Sequence, residues 1–172
     1  MMEKATFVPY FENVRSRTAR VIACIPPAQL EWRPRPGSFS FGDLIRHIAA
    51  TERYMFAENA QGRPSRYPGH GPELAEGWDD VNAFLQRLHA ESMAIFSALP
   101  DDALSGSCVT PGGARLAVWK WLRAMIEHEV HHRGQIYLML GLIGVPTPPL
   151  YGLTSEEVRA RSIDPSVDGP DG

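Results

Sequence analysis

The chain has 172 residues, of which 44% are hydrophobic and 22% charged, and its formal net charge is −3 at pH 7. This length and composition are typical of a single globular domain with a sizeable core. Lysine and arginine form no basic patch, whereas a dedicated nucleic-acid binder needs clustered cations to displace counterions. We therefore expect no nucleic-acid partner.

The amino terminus, MMEKATFVPYFENV, lacks the apolar stretch and the small-residue cleavage site of a signal peptide. The longest apolar run, YLMLGLIGV at 137–145, is about half the length needed to cross a bilayer. We therefore expect a cytoplasmic protein without a membrane span. In that compartment Cys24 and Cys108 are not expected to form a disulfide, and the apolar surroundings of Cys24 favour a packed core thiol.

Four segments have the length and apolar spacing of α-helices, and they lie at about 6–24, 41–60, 77–98 and 114–141. Ser40, with Asp43 three residues further on, predicts the N-cap of the second helix. No run alternates with a period of two, so no strand is predicted. Four long helices with these connections predict an all-α fold, a four-helix bundle with one long crossover connection.

The segment 61–76, QGRPSRYPGHGPELAE, is long and rich in proline and glycine. Such a loop inside a compact domain can be a lid over a pocket or a plain spacer, and both alternatives remain open. A further short helix is predicted over 154–161. We expect one domain over 1–161 and a disordered tail over 162–172, SIDPSVDGPDG.

Residues 128–132 read HEVHH, which contains the H-E-x-x-H pattern of zinc peptidases. On a helix, His128 and His132 lie about 40° apart on one face. The apolar stripe of this helix makes His132 face the core and His128 border it, whereas His131 points further out. Two inward imidazoles are costly to bury without a common partner, because both carry polar nitrogens. A shared metal ion is the favoured interpretation, and a hydrogen-bonded structural pair is the alternative.

The second helix offers a third candidate ligand, His47, at the polar edge of its apolar face. Polar side chains lie within about 40° of His47 on the helical wheel, so it faces a polar strip beside the core. Three neutral imidazoles suit Zn²⁺ or Ni²⁺ and leave positions open for water or substrate, as in a catalytic site. The side chains that could orient the rings or a bound water are Asp43, Thr51, Tyr54 and Gln135.

A zinc peptidase is a remote alternative. The extended motif H-E-x-x-H-x-x-G-x-x-H is not met, because Gln135 stands in place of glycine and Leu138 in place of histidine. No strand is predicted upstream along which a peptide substrate could align. Glu129, between the two histidines, is a weak candidate for a catalytic base, and a solvated surface glutamate is the favoured interpretation of this residue.

Several stretches of the chain resemble the DinB/YfiT-like superfamily of metalloenzymes. They are FSFGDLIRHIAATERYMF, EHEVHHRGQIYLMLGLIGV and PPLYGLT, together with the linker LEWRPRPGSFS. The resemblance extends over about residues 5–160. It implies a four-helix bundle, often dimeric, with three histidines that bind nickel or zinc. Carried over to this chain, the ligands are His47, His128 and His132, the same set that the helical wheels select.

The resemblance also implies a class of reaction. Members with known activity include thiol S-transferases that use bacillithiol or mycothiol, a thiol-dependent isomerase and hydrolases. We therefore expect a metal-dependent transferase or hydrolase with a small-molecule substrate and, for a transferase, a low-molecular-weight thiol as cofactor. A stress protein that binds a metal or a small molecule without catalysis is the alternative.

The fourth helix has a second apolar stripe, almost opposite the histidines. Its members are Trp119, Ile126, Val130 and Tyr137. A helix that is apolar on two sides is buried on two sides. The second contact can be with another helix of the same bundle or with a second copy of the chain, and we expect a homodimer in solution.

Overall fold

The structure is a computed structural model that describes residues 3–163. Four long helices form its body, and they agree with the predicted segments except at the start of the fourth. The first is α1, Lys4–Ile22; the second consists of α2, Phe41–Thr51, a π-helical turn, Glu52–Phe56, and α3, Ala57–Ala60; the third is α4, Gly77–Ala98; the fourth is α5, Val118–Leu142. A short helix, α6, follows at Ser155–Ile163.

The long helices pack as a four-helix bundle, which confirms the predicted fold. The main partners of α1 are α4 and α5, and the same two helices flank α2. Helices α1 and α2 therefore occupy opposite corners, and the linker of residues 23–40 crosses between them. This crossing places α2 directly beside α5, and these are the two elements that carry the candidate ligands.

The connection between α4 and α5 contains a β-hairpin. Strand β1, Ser107–Val109, pairs antiparallel with β2, Arg115–Ala117, and the chain between them passes through Gly113, whose φ of 83° favours glycine. The predictions of no strand and of a fourth helix from residue 114 are therefore wrong, since α5 begins at Val118. Strands of three residues are too short to display an alternating pattern.

Helix α2 begins with a capping box at Ser40, as predicted. The Ser40 hydroxyl accepts a hydrogen bond from the backbone N–H of Asp43 at 3.0 Å, and the Asp43 carboxylate accepts one from the Ser40 N–H at 3.0 Å. Ser40 also donates its hydroxyl proton to Glu31 at 2.7 Å. These bonds fix the start of the helix on which His47 lies.

The apolar core is divided into two clusters by a polar layer. The first cluster includes Val21, Ile22, Leu44, Ile45, Ile48, Leu85, Leu88, Ile136 and Leu140. The second includes Phe7, Phe11, Val14, Phe56, Phe96, Leu122 and Met125. Between the clusters, each of the four long helices contributes one polar residue, and these are Arg15, Glu52, His89 and Glu129. We call this set the polar layer.

The polar layer is a buried network of opposite charges. The Arg15 guanidinium contacts the Glu52 carboxylate and lies 2.9 Å from that of Glu129. His89 Nδ1 is 2.9 Å from Glu52 Oε1, and the Thr18 hydroxyl donates to Glu129 at 2.6 Å. Burial alone would lower the pKa of Arg15, but Glu52 and Glu129 raise it above its ordinary value. The guanidinium therefore stays charged and joins α1 to the π-helical turn after α2 and to α5.

Both cysteines are free thiols. Cys108 is buried in the second cluster, and Cys24 packs partly buried against the first, as predicted for a core thiol. Among residues 3–163, no helix combines the length and the apolar content needed to cross a bilayer.

The carboxyl-terminal tail lies mostly outside the described residues. Ser162 and Ile163 are the last two residues of α6. Residues 164–172 are not described. The division into a domain over 1–161 and a tail stays a prediction.

Candidate metal centre

Three imidazole rings from two helices meet beside the core. The Nε2 atom of His128 lies 3.0 Å from that of His47 and 3.1 Å from that of His132. One nitrogen of each ring lies within 4.8 Å of the other two. His132 is buried, the other two rings are half-buried, and His131 is exposed, as the helical wheel predicted. The structure thus brings together the three histidines that the sequence selected.

Hydrogen bonds at the Nδ1 atoms of His132 and His47, on the side away from the other rings, indicate which nitrogen of each ring carries the proton. Gln135 Oε1 lies 2.7 Å from His132 Nδ1. Because an amide oxygen only accepts, His132 Nδ1 is protonated and its Nε2 presents a lone pair. Tyr67 Oη lies 2.7 Å from His47 Nδ1 and 3.2 Å from His70 Nδ1. When His47 Nδ1 donates to Tyr67 and Tyr67 donates to His70, the hydroxyl accepts one hydrogen bond and donates one. In this arrangement His47 Nε2 also presents a lone pair.

The directions of these lone pairs and the distances between the nitrogens show whether the three imidazoles could bind a metal ion. The Nε2 atom of His128 can donate one proton at most, so it can satisfy only one of its two neighbours. At least one of the contacts at 3.0 and 3.1 Å is therefore left without a hydrogen bond, which is unfavourable without a cation. Two tetrahedral Zn–N bonds of about 2.0–2.1 Å place their nitrogens roughly 3.3 Å apart, close to these spacings. The three imidazoles fit a divalent metal ion.

The three rings are neutral near pH 7. Burial, together with the neighbouring imidazoles of His132, His128 and His70, lowers the pKa of His47 to about 3. Burial, together with His132, lowers the pKa of His128 to about 4. Burial also lowers the pKa of His132, although the hydrogen bond that His132 donates to Gln135 opposes this. Neutral imidazole is the form that binds a metal, so the rings are in that form at neutral pH.

Of the four side chains predicted to orient the rings, Gln135 bonds to one of the three imidazoles. The other three have different partners among the described residues. The Asp43 carboxylate belongs to the cap of α2. The Thr51 hydroxyl donates to the backbone carbonyl of His47 at 2.7 Å instead of to its ring. The Tyr54 ring packs against arginine side chains.

Three residues that the sequence analysis did not single out complete the surroundings. Tyr67 and His70 come from segment 61–76 and form the hydrogen-bonded chain that begins at His47. The Phe39 ring centroid lies 4.2 Å from that of His70 and 5.4 Å from that of His47. Segment 61–76 is therefore a wall of the site and not a plain spacer. A tyrosine and a histidine within a proline-rich loop were the available signal.

A buried arginine holds segment 61–76 against α2. The side chain of Arg46 is fully buried, and its Nε donates to the carbonyl of His70 at 2.9 Å. Its Nη1 donates to the carbonyl of Ala75 at 3.1 Å. Because Arg46 precedes His47 in the chain, the same turn of α2 supports both the ring and the loop beside it.

Glu129 does not join the three histidines. Its carboxylate accepts from Thr18 and pairs with Arg15 in the polar layer, and the residue is only 2% exposed. The expectation of a solvated surface glutamate is therefore wrong, because helix α1 covers this face of α5. A zinc peptidase needs this glutamate beside the metal-bound water, so the geometry gives the peptidase alternative no support.

Comparison with known proteins identifies the family. The sequence model of the DinB superfamily matches residues 10–136. The chain belongs to the DinB superfamily. The match includes both α2 and the histidines of α5, so the candidate metal centre lies within the part of the chain that defines the family.

Other members of the DinB superfamily share the fold at low sequence identity. The uncharacterized protein YjoA of Bacillus subtilis (strain 168) is 23% identical over 154 residues, which cover 88% of this chain and 97% of the relative. Its crystal structure matches with a TM-score of 0.67 at 21% identity, covering 84% of this chain and 96% of that one.

Two further solved structures carry functional descriptions. YfiT from Bacillus subtilis is described as a probable metal-dependent hydrolase with an unusual four-helix bundle topology. It matches with a TM-score of 0.62 at 18% identity, covering 83% of this chain and 89% of that one. A mycothiol-dependent maleylpyruvate isomerase matches with a TM-score of 0.65 at 13% identity, covering 78% of this chain and 61% of that one. These likenesses show the common fold.

The substitution Tyr67→Phe tests the hydrogen bond behind His47. It removes the hydroxyl that lies 2.7 Å from His47 Nδ1 and keeps the ring. We expect the affinity for Zn²⁺ to fall by about 10–100-fold, as is typical when a group that orients a ligand is lost. Competition with a colorimetric chelator measures the change. Tyr54→Phe is the matched control and should bind Zn²⁺ as the unmodified protein does. Equal affinity of the two variants for Zn²⁺ would contradict the role of Tyr67.

The low histidine pKa values predict that the metal-free protein is sensitive to acid. An unfolded histidine binds a proton below about pH 6.5, whereas folded His47 and His128 have pKa values of about 3 and about 4. Below about pH 6.5 the unfolded state binds more protons, so the free energy of unfolding decreases as the pH falls towards about 4. The decrease is at most about 1.4 kcal/mol per pH unit for each histidine. Urea unfolding of chelator-treated protein at several pH values measures it.

The variant His128→Gln separates this effect from the titration of carboxylates. Glutamine keeps a polar side chain at the site but binds no proton in this range. We expect a shallower dependence of the unfolding free energy on pH than in the unmodified protein. Identical slopes would mean that the acid sensitivity arises from other groups.

Proposed function

We propose that this DinB-superfamily protein binds a divalent metal ion, zinc or nickel, through Nε2 of His47, His128 and His132. We further propose that it catalyses a metal-dependent reaction of a small molecule, either transfer of a low-molecular-weight thiol or hydrolysis. The observation that carries the proposal is the convergence of three neutral imidazoles with at least one nitrogen–nitrogen contact that no proton can satisfy. The descriptions of YfiT and of the isomerase support metal and thiol chemistry, respectively.

The residues around the three rings have separable tasks. A bound divalent ion would lower the pKa of a coordinated water or thiol and supply hydroxide or thiolate near neutral pH. Gln135 and Tyr67 keep the Nδ1 protons of His132 and His47 on the outer side, so their Nε2 lone pairs face inward. Phe39 packs against the rings and excludes water from that side.

Metal analysis and activity assays test the proposal. Mass spectrometry of protein purified without added metal should find about one zinc or nickel ion per chain. The metal-loaded protein should join a thiol such as cysteine to 1-chloro-2,4-dinitrobenzene with release of chloride, or hydrolyse p-nitrophenyl acetate, and His128→Ala should abolish the turnover. Metal binding without turnover would favour the non-catalytic binding protein. Metal content unaffected by His128→Ala would contradict the site itself.

The second apolar stripe of α5 is divided between the core and the surface. Ile126 is buried and Trp119 is partly buried in the second cluster, which agrees with contact inside the bundle. Val130 and Tyr137 remain 40% and 36% exposed. We propose a homodimer that covers these two side chains. A monomer mass at all concentrations in light scattering would contradict it.

A further inference from the structure

A pocket of about 530 Å³ opens beside His132. Its volume is in the range of small-molecule sites, about 300–1,000 Å³. Six apolar side chains from the linker before α2, from α2 itself and from α5 line it: Pro34, Phe39, Leu44, Leu138, Met139 and Leu142. We call this the apolar pocket. It adjoins the candidate metal centre, because the side chain of His132 lies at the boundary between the two.

The polar side chains that line the apolar pocket already have partners. The Ser38 hydroxyl donates to the carbonyl of Arg35 at 2.7 Å. Gln135 Oε1 accepts from His132 Nδ1 at 2.7 Å. No lysine, arginine, aspartate or glutamate lines the pocket. A carboxylate or a sugar placed here would lose its water without gaining a partner, so the pocket selects an uncharged, apolar group.

Two leucines on the rim are exposed without a covering group. Leu138 is 66% exposed and Leu142 is 61% exposed, and they lie one turn apart on α5. A ligand in the pocket would remove both from water, which is favourable in proportion to the apolar area covered. Further in, the Phe39 ring lies 6.4 Å from the His132 ring at an interplanar angle of 21°. The apolar surface therefore continues from the rim to the three imidazoles.

We propose that the apolar pocket binds an aromatic ring or an alkyl chain of the substrate and directs its one polar, reactive end towards the three histidines. The substrate class is an uncharged, largely apolar small molecule with a single electrophilic group, such as an ester or an activated halide. This inference rests on the proposed function, because the pocket itself holds no reactive group.

An uncharged fluorescent probe, N-phenyl-1-naphthylamine, tests the pocket independently of turnover. It should bind the full-length protein saturably, with or without Zn²⁺. The double variant Leu138→Gln/Leu142→Gln should weaken this binding about tenfold or more. Because both leucines are solvent-exposed, the variant should remain folded. Val158→Gln, at a half-exposed apolar position on α6 outside the pocket, is the matched control and should bind the probe unchanged.

A second measurement places the probe beside the histidines. With Co²⁺ in place of Zn²⁺, the probe should change the visible absorption spectrum of the ion in the unmodified protein and not in the double variant. Two results would overturn the pocket: unweakened probe binding in the double variant, or loss of binding in Val158→Gln.

The remaining outcomes separate this inference from the proposed function. A homodimer that dissociates in the Leu138→Gln/Leu142→Gln variant would show that a second copy covers the leucines, which overturns the pocket. Metal bound without any probe binding would overturn the pocket and leave the proposed function intact. Probe bound in a protein that holds no metal would contradict the proposed function and, with it, the substrate class.

Discussion

Replacing His47 with alanine is expected to abolish stoichiometric metal binding and every metal-dependent activity of the protein. His47 is the member of the triad that α2 contributes, and without it the two imidazoles of α5 face an empty position. The loss of affinity should exceed the 10–100-fold that is typical when only an orienting group is removed. Helix α2 should still form, because its cap at Ser40 is untouched. Zinc content after dialysis and competition with a chelator measure the effect.

His131→Ala is the matched control for this experiment. His131 is adjacent to His132 in sequence but exposed. Its Nε2 lies 3.3 Å from the Gln135 amide nitrogen, and it is not one of the three histidines whose nitrogens converge. We expect near-normal Zn²⁺ affinity. Loss of zinc in His131→Ala together with retention in His47→Ala would mean that HEVHH binds the ion by itself, as in a peptidase-like motif, and would refute the three-histidine site.

The part of the site that was predictable from sequence depends on local helical geometry. His128 and His132 are one turn apart on an uninterrupted helix, so their common face follows from the spacing alone. His47 was accessible to the same reasoning because it precedes the π-helical turn. The length and apolar spacing of the long helices also sufficed for the four-helix fold.

The π-helical turn at Glu52–Phe56 limits what a helical wheel can predict in this chain. A π turn inserts an extra residue, so every position beyond Thr51 is rotated relative to a uniform α-helix. Tyr54 was therefore predicted to share the face of His47, yet its ring packs against Arg53 and Arg66. No residue type in this segment signals a π turn by itself.

Other features depended on contacts between segments that are distant in sequence. Tyr67 and His70 lie beside His47 because the loop is held against α2, where Arg46 binds two of its carbonyls. The burial of Glu129 depends on the position of α1 in the bundle. A helical wheel describes one helix and contains no information on what covers its faces. The positions of these residues could therefore be assigned only from the three-dimensional structure.

The substitution Arg15→Ala is expected to destabilise the protein by about 3–5 kcal/mol, the usual cost of breaking a buried ion pair. It would leave the carboxylates of Glu52 and Glu129, each 2% exposed, without their cation. The measurement is urea unfolding near neutral pH. Arg123→Ala is the matched control, because its pair with Glu127 is solvent-exposed and should contribute about 1 kcal/mol or less. Equal effects of the two substitutions would contradict the importance of the polar layer.

The loss of stability in Arg15→Ala should arise from the two buried carboxylates that remain without a cation, and not from the loss of a strongly favourable ion pair. Nε and Nη1 of Arg15 are buried without a hydrogen-bond partner among the described residues, so the layer is not optimised for stability alone. Arg15→Met combined with Glu52→Gln and Glu129→Gln should therefore regain most of the lost stability. Glu129 is adjacent to His128, and Glu52 lies on the helix of His47. If the polar layer also sets the rotation of these helices, the triple variant should be stable but bind Zn²⁺ more weakly than the unmodified protein. Full recovery of both stability and Zn²⁺ affinity would limit the layer to a structural role.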